Sequence, residues 1–292
     1  MPSTRDIRRR IKSIKSTAQI TKAMQMVASA KMRKAQLSAL SGRPYANLMN
    51  EVLAAATAGA TDFSHPLITK RDIKKRGVIV ISSDKGLCGA LNTNLLREAF
   101  KFDKNTTVYV TAGRKASQWV VRSKRALSAE FSYKDTPAFA EARAISKFAQ
   151  DLFLKGEVDE VVVLYTNFVS TLVQKPESRQ LLPIGKIVKL EAGVSGENLV
   201  GELGKSTREH QFEPGAPTVL SNLLPHYVNY QVFQFLLEAK ASEQSARMVA
   251  MKNATDNAKQ IIKDLTLEYN KLRQANITKE LLEITTAQMA MG

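Results

Sequence analysis

Hydroxyl, thiol and amide groups are concentrated in the segment SSDKGLCGALN, residues 82–92. A glycine-containing turn between a strand and a helix can bind a phosphate through its backbone N–H groups. The segment matches neither GxxxxGK[ST] nor GxGxxG. We therefore favour a structural role, in which Gly86 and Gly89 form a tight turn before a helix, and keep a nucleotide-dependent enzyme as the alternative. Cys88 is predicted to be a small buried hydrophobe rather than a nucleophile.

The remaining side chains do not suggest a metal site or an acid–base pair. His65, His210 and His226 are far apart in the sequence and lack the spacing of metal ligands. Asp159 and Glu160 are adjacent, but neighbouring residues of a strand point to opposite faces. GxSxG and HExxH motifs are both missing. We therefore predict no catalytic residue, metal or cofactor in this chain, which would then not be an enzyme by itself.

Positive charge is concentrated at the N-terminus. The formal net charge is +16 over 292 residues, and residues 1–40 contain ten Lys or Arg against Asp6 alone. Such a surface attracts nucleic acid or an acidic protein, and a solvated helix face is the structural alternative. The first aromatic residue is Tyr45, so the stacking platforms that bind single strands are missing. An acidic protein is therefore the favoured partner, and nucleic acid the alternative.

Two features predict a cytoplasmic protein that does not itself cross a membrane. A single cysteine cannot form an intramolecular disulfide, which suits a reducing compartment. No run of about 18 apolar residues could span a bilayer, and residues 1–15 lack the apolar core of a signal peptide.

A long helix is predicted at the N-terminus. Residues 3–41 contain neither Pro nor Gly, and apolar residues recur at steps of three and four. The pattern continues past Pro44 to about residue 58. The predicted seam along one side of this helix consists of Ile7, Ile11, Ile14, Ala18, Ile20, Met24, Val27 and Ala30.

A second long helix is predicted at the C-terminus, from residue 223 to 284, with a length of about 90 Å. Residues 241–258 mix charged and small side chains around the whole helix, so we expect this stretch to meet several neighbours, with a polar exposed stretch as the alternative. The uncharged residues 284–292 suggest insertion into an apolar sleeve, with fraying as the alternative. The predicted heptad-like seam consists of Met251, Ala254, Ala258, Ile261, Leu265, Leu272 and Ala275.

An α/β domain is predicted between these helices. Three β-branched runs, residues 77–82, 107–111 and 160–167, alternate with helical stretches 92–102, 114–123 and 138–154, which is typical of a parallel sheet. Residues 170–174 would add an antiparallel edge strand.

The predicted fold class is therefore α/β: an antiparallel coiled coil of the two terminal helices with a small Rossmann-like domain inserted. Parallel pairing would require the intervening chain to return a full helix length. The predicted divisions are an N-terminal helix (1–60), the α/β domain (75–192), a linker (193–217) and a C-terminal helix (218–292).

Four segments resemble the γ subunit of F-type ATP synthases. They are DIRRRIKSIKSTAQITKAMQMVASAKMRKAQ near the start, SSDKGLCGALNTNL in the middle, and ASEQSARMVAMKNATDNA and LEYNKLRQANITKELLEI near the end. The resemblance covers nearly the whole chain and is weakest between residues 124 and 213. After ITKELLEI the family usually has Gly-Ala, whereas this chain has Ala287 and Gln288.

The resemblance implies a rotating central stalk. The coiled coil would lie inside the ring of α and β subunits, and the foot would rest on the c ring and the ε subunit, at the cytoplasmic face of the inner membrane. Proton flow would turn the stalk, whose asymmetry would change nucleotide affinity at three catalytic β subunits in turn. Nucleic acid would not be a partner.

Five positions match family contacts. Arg273, Gln274 and Thr278 match positions that contact a β loop near the top of the stalk, and Met24 matches one that faces an acidic region of β. Glu213 matches a foot position that meets the c ring.

Overall fold

The computed structural model describes residues 3–58, 64–184, 212–213 and 215–291. Most of the predicted linker, residues 193–217, and His210 lie outside these ranges. The chain divides into two compact units. The first unit contains Met1–Ala28 and Met248–Gly292, and the second contains Ser29–Arg247.

Six helices are present in the described residues. At the start of the first helix the Ser3 hydroxyl accepts from the Asp6 N–H at 3.2 Å and donates to its carboxylate at 2.7 Å, so the helix begins with a side-chain cap. The helices are α1 Thr4–Ser41, α2 Arg43–Ala58, α3 Leu91–Phe100, α4 Arg114–Arg122, α5 Phe139–Leu154 and α6 Ala216–Met291.

The predicted N-terminal helix is interrupted at Gly42, which separates α1 from α2. Pro44 lacks an N–H group and cannot continue the helical hydrogen-bond ladder. The Tyr230 hydroxyl donates to the Gly42 carbonyl at 2.6 Å, and a Cβ at Gly42 would lie 2.7 Å from that hydroxyl. The expectation that one helix continues to residue 58 was therefore wrong, because Pro44 cannot donate a helical hydrogen bond.

In the first unit, α1 and α6 pair in antiparallel orientation. Arg8 hydrogen-bonds to the Tyr269 hydroxyl, and the Thr21 and Thr255 hydroxyls are 2.7 Å apart. An advance along α1 therefore corresponds to a nearly equal retreat along α6. This confirms the antiparallel coiled coil for the first unit.

The seam of α1 departs from the prediction after Ala18. Ile20 and Val27 are 58% and 54% exposed, whereas Thr21 is half-buried and Ala28 is buried. A step of three from Ala18 keeps Thr21 on the seam, whereas a step of two turns Ile20 away from it.

The predicted seam of α6 is correct at some of its positions and wrong at others. Met251, Ala258 and Leu265 are buried, as predicted, whereas Ile261 is 39% exposed and Ala275 is exposed. Buried Thr255 belongs to the seam although it is polar, because its hydroxyl is hydrogen-bonded there.

The second unit contains a five-stranded sheet with strand order β3-β2-β1-β4-β5. The first four of these are mutually parallel, and β5 runs antiparallel to β4. The strands are β1 Arg76–Ile81, β2 Thr107–Ala112, β3 Ala126–Phe131, β4 Glu160–Phe168 and β5 Gln174–Leu182.

Both edge strands differ from the prediction. Sequence analysis missed β3 because ALSAEF has no β-branched residue, and its side chains alternate between exposed and half-buried. The antiparallel edge strand was placed at residues 170–174, but residues 170–173 form the turn before β5 and only Gln174 belongs to the strand. Charged and polar residues make β5 look like a loop, since only one face of this edge strand needs apolar side chains.

Helices cover both faces of the sheet. On one face Leu95 of α3 and Val120 of α4 pack against Val78, Val80 and Tyr109. The other face packs against α2, α5 and the first part of α6 in one large apolar cluster. This confirms the Rossmann-like insert.

Candidate partner-binding surfaces

The middle of α6 is buried on all sides within the second unit. Residues 234–246 are all buried. Ala241 packs with Ala35 of α1, and the Ser242 hydroxyl donates to the Thr166 carbonyl of β4 at 2.9 Å. This confirms for residues 241–246 that the segment meets several neighbours. The expectation fails for residues 252–258, where exposed and buried positions alternate as on a two-helix surface.

The turn of residues 82–92 is closed by its own side chains. The Asn92 amide donates to the Ser83 hydroxyl at 2.8 Å and to the Cys88 sulfur at 3.2 Å, and the Ser83 hydroxyl donates to the Lys85 carbonyl at 2.8 Å. The polar side chains of the turn are thus engaged with one another, which favours the structural role. Cys88 is 2% exposed and packs with Leu91 and Ala246, as predicted for a buried hydrophobe.

Only one of the two predicted glycines is required by the backbone of this turn. Gly89 has φ 61°, in the left-handed region, whereas a Cβ at Gly86 would meet nothing within 4 Å. Leu87 has φ 63° and is 62% exposed. A leucine, not Gly86, therefore takes the second left-handed position.

The described histidines and the carboxylate pair have structural partners. The His226 Nε2 lies 2.5 Å from the Tyr45 hydroxyl. Asp159 accepts the Lys74 and Lys75 N–H groups at 2.9 Å, and these bonds lower the pKa of its carboxyl. Glu160 pairs instead with Arg76 at 2.6 Å. Among the described ranges, no cluster of three or more His, Cys, Asp or Glu is arranged to hold a metal.

The basic residues of α1 form an exposed face. All ten Lys and Arg side chains among residues 3–40 are exposed. In the first unit Arg8, Lys12, Lys15 and Lys22 follow one another at steps of four, three and seven, which places them on one side of the helix. The side chain of Met24 is half-buried on α1. We call the surface of Arg8, Lys12, Lys15 and Lys22 the basic face.

The last part of α6 extends beyond the start of α1 within the first unit. The register that joins Arg8 to Tyr269 places Thr4 opposite about residue 273, so α1 supplies no partner to the residues that follow. Every residue from 273 to 290 is exposed. We call residues 273–291 the tip. Its large exposed apolar side chains are Ile277, Leu281, Leu282, Ile284 and Met289.

Three of the predicted contact residues lie together on the tip. Arg273, Gln274 and Thr278 are exposed, and the Thr278 hydroxyl donates to the Gln274 carbonyl at 2.9 Å. Gln274 and Thr278 are one turn apart and therefore share a helix face. Met24 is not beside them, because the antiparallel register places it opposite about residue 252, some 20 residues back along α6. Glu213 is exposed in the short described segment 212–213.

Sequence analysis missed a charged cluster in the second unit. Lys240 lies 3.0 Å from Glu243 and 3.2 Å from Asp135, and Arg247 lies 2.7 Å from Glu243. Lys31 of α1 approaches Asp135 to 2.6 Å. The available signal was the spacing of Lys240, Glu243 and Arg247 at three and four residues, which aligns opposite charges on one helix face.

Hydrogen bonding from Lys31 and Lys240 lowers the pKa of Asp135 to about 2. Burial opposes this shift but does not outweigh the two ammonium groups. Asp135 is therefore ionised throughout the neutral range and joins two cations from different helices.

The comparisons with known proteins agree with this architecture. The family model described as ATP synthase matches residues 3–291. A protein of Methylacidiphilum infernorum named ATP synthase gamma chain is 48% identical over 297 aligned positions and the full length of both chains. The chain belongs to the ATP synthase γ-chain family.

Further γ-family relatives and solved structures are similar along most of the chain. The gamma chain of Opitutus terrae is 48% identical, and the alignment covers 99% of both chains. A chain in the central stalk and c-ring structure of the Tetrahymena thermophila mitochondrial ATP synthase has a TM-score of 0.61 at 26% identity, covering 80% of this chain and 99% of that one.

A chain of the Euglena gracilis mitochondrial ATP synthase has the same fold, with a TM-score of 0.70 at 21% identity, covering 99% and 94% of the two chains.

Within the described residues, no helix is both long enough and apolar enough to cross a bilayer.

Proposed function

We propose that this γ-family chain is the central rotor shaft of a proton-translocating F-type ATP synthase. The observation that carries the proposal is the tip, a single helix with five large apolar side chains that α1 does not cover. Exposed apolar side chains grouped in this way mark a surface that binds a partner. The ring of α and β subunits is the proposed enclosure.

The basic face supports the same placement. Its cations lie on the first unit, which also carries the tip, and suit acidic loops of the surrounding β subunits. Exposed ion pairs contribute about 0–1 kcal/mol each. Such weak contacts guide a rotating surface without holding it at one angle.

Rotation acts on the catalytic subunits through differential contact. The two helices of the first unit present different surfaces around their common axis, basic on α1 and nearly neutral on α6. Each β subunit therefore meets a different surface at each angle of the shaft. A shaft that contacts two β conformations unequally shifts the balance between them and thereby the affinity for ADP, phosphate and ATP.

The chain itself contributes mechanical coupling and no catalytic group. The α and β subunits surround the shaft, and the foot meets the ε subunit and the c ring, so the chain is peripheral to the cytoplasmic face of the inner membrane. The working divisions are residues 1–60 and 218–292 for the shaft, 75–192 for the insert and 193–217 for the linker. In this arrangement Met24, Arg273, Gln274 and Thr278 contact β, and Glu213 contacts the c ring.

Co-purification tests the placement. The chain is tagged at a surface position of α4, such as Gln118, and isolated from detergent-solubilised membranes of cells in which it replaces the native γ chain. The expected result is recovery of α, β, ε and c subunits together, with ATP hydrolysis coupled to proton uptake in vesicles. Recovery of the chain without α, β and c subunits would overturn the proposal.

Replacement of Gln274 by alanine tests the contact at the tip. The complex should assemble, and ATP synthesis should fall about two- to tenfold, because the contact of one amide group is lost while the coiled-coil seam is unchanged. Gln118→Ala, on the exposed surface of α4, is the matched control and should retain full synthesis. Full synthesis in both variants would refute the role of Gln274.

A further inference from the structure

Lys240, Glu243 and Arg247 of α6 are charged side chains that are buried or nearly buried in the second unit. The side chains of Lys240 and Glu243 are 4% and 5% exposed, and that of Arg247 is 12% exposed. Burial of ionised groups costs more free energy than an apolar replacement of similar volume would, even when the charges are paired. Stability alone therefore does not explain why this section of α6 carries them.

The cluster joins the insert to α1 and α6 at two separate points. Asp135, in the loop between β3 and α5, accepts from Lys31 of α1 and also pairs with Lys240 of α6. At the other end Arg247 donates to the Lys85 and Gly86 carbonyls at 3.3 Å. Glu243 connects the two points, because it pairs with Lys240 and with Arg247.

The contacts beside this cluster are made by small side chains. Ala35 and Ala241 pack with Phe168, and Ser242 and Ser245 each donate one hydrogen bond to a backbone carbonyl. The free energy of apolar packing is non-directional. Charge-assisted hydrogen bonds are directional and hold one angle.

We infer that Asp135, Lys240, Glu243 and Arg247 form an ionic clasp that fixes the angle of the α/β insert about α1 and α6, so that torque passes from the insert to the shaft without slip. The inference rests on the proposed rotor function and adds to it the residues that transmit the load. They are positioning residues, since each acts by holding the insert against α1 and α6.

Asp135→Asn opens the clasp with the least damage to the fold. The Asp135 side chain is 57% exposed, and Lys240 keeps Glu243 as its partner when the carboxylate is removed. Asp151→Asn removes one exposed carboxylate from α5 of the same unit and is the matched control. Lys240→Met is the second variant, because methionine fills the buried space without a charge.

The test uses complete complexes in inverted membrane vesicles. Subunit content and ATP hydrolysis should stay at the unsubstituted level, whereas the ratio of ATP-driven proton uptake to hydrolysis should fall on the order of two- to tenfold in both clasp variants. The double variant should be at least as impaired as either single variant, because Asp135→Asn also removes the pair with Lys31, which Lys240→Met leaves intact. Asp151→Asn should keep the full ratio.

Hydrogen exchange supplies a readout that does not require pumping. In the assembled complex, amides of residues 133–138 should exchange several-fold faster in Asp135→Asn than in the unsubstituted chain. Complexes that pump normally and keep normal exchange in both clasp variants would overturn the clasp and leave the rotor function intact. An unsubstituted complex that fails to assemble or pump would instead refute the proposed function.

Discussion

Replacement of Gly113 by alanine should destabilise the second unit far more than alanine at other glycines. Gly113 has φ 106° and ψ 140° directly before α4. A Cβ there would lie 2.1 Å from the Ser82 carbonyl oxygen and 2.9 Å from its carbon, both of which are backbone atoms. Neither the dihedral angles nor the neighbouring strand can accommodate a side chain.

The magnitude follows from two separate costs. A non-glycine residue in such a backbone conformation costs about 1–3 kcal/mol. Forcing an extra methyl group into a packed site costs about 1–3 kcal/mol more. The sum, about 2–6 kcal/mol, is a large fraction of the roughly 5–15 kcal/mol that stabilises a typical protein.

Two other glycines separate these costs. Gly156 has φ 75° with nothing within 4 Å of its Cβ position, so Gly156→Ala should lose only the backbone term, about 1–2 kcal/mol. Gly86 also has open space and no positive φ, so Gly86→Ala should be neutral or stabilising by about 0.4–1 kcal/mol.

Urea unfolding of the purified full chain, followed by circular dichroism, measures the series. The expected order of unfolding free energies is Gly86→Ala, then Gly156→Ala, then Gly113→Ala, from most to least stable. The reasoning is refuted if Gly113→Ala is as stable as Gly156→Ala. Because Ser82 begins the turn that Arg247 holds, a displaced Ser82 should also accelerate hydrogen exchange in residues 83–89.

Three further predictions concern polar contacts of both units. The pKa of Asp135 is lowered from 3.8 to about 2, so its ionised form stabilises the fold above pH 4, and this stabilisation is lost as the pH falls towards 2. Because the side chain is more than half exposed, the unfolding free energies of Asp135→Asn and the unsubstituted chain should differ by only about 1 kcal/mol at pH 6 and converge near pH 2. Thr255→Val should lower the free energy of unfolding by about 1 kcal/mol, measured as a lower melting temperature, because the Thr21 hydroxyl loses its hydrogen-bond partner on α6. Valine at both positions should recover most of this loss. Arg125→Lys should cost about 1–3 kcal/mol in urea unfolding, because lysine cannot reproduce the guanidinium's contacts with three neighbouring oxygens, while Arg122→Lys on the exposed face of α4 should cost nothing measurable.

Buried strands could be predicted from the sequence, and half-exposed strands could not. β1 and β4 are buried almost throughout and therefore consist of β-branched runs. The edge strands β3 and β5 have one exposed side, where Ala, Ser, Lys and Glu are tolerated, so composition does not distinguish them from loops. The prediction of the α1 seam fails after Ala18 for a related reason. Thr21 takes a seam position where an apolar residue is expected, because Thr255 supplies its hydrogen-bond partner.

The candidate partner-binding surfaces also have one part that the sequence predicts and one part that only the structure shows. The concentration of positive charge on α1 was visible in the sequence, because ten Lys and Arg residues against one carboxylate can be counted without a structure. The contact residues of the tip were predicted from the resemblance to the γ family. Their common exposure followed only from the register of the two helices, which shows that α6 extends beyond the start of α1.

The sequence by itself determined the two long helices, the parallel sheet between them and the concentration of positive charge, since periodicity, glycine and proline placement and composition are local properties. Tertiary structure alone decided where α6 is enclosed, which carboxylate joins Lys31 to Lys240, and which apolar residues of the tip remain uncovered. These outcomes depend on contacts between residues more than 100 positions apart along the chain, and no local pattern specifies which distant partner a side chain will meet.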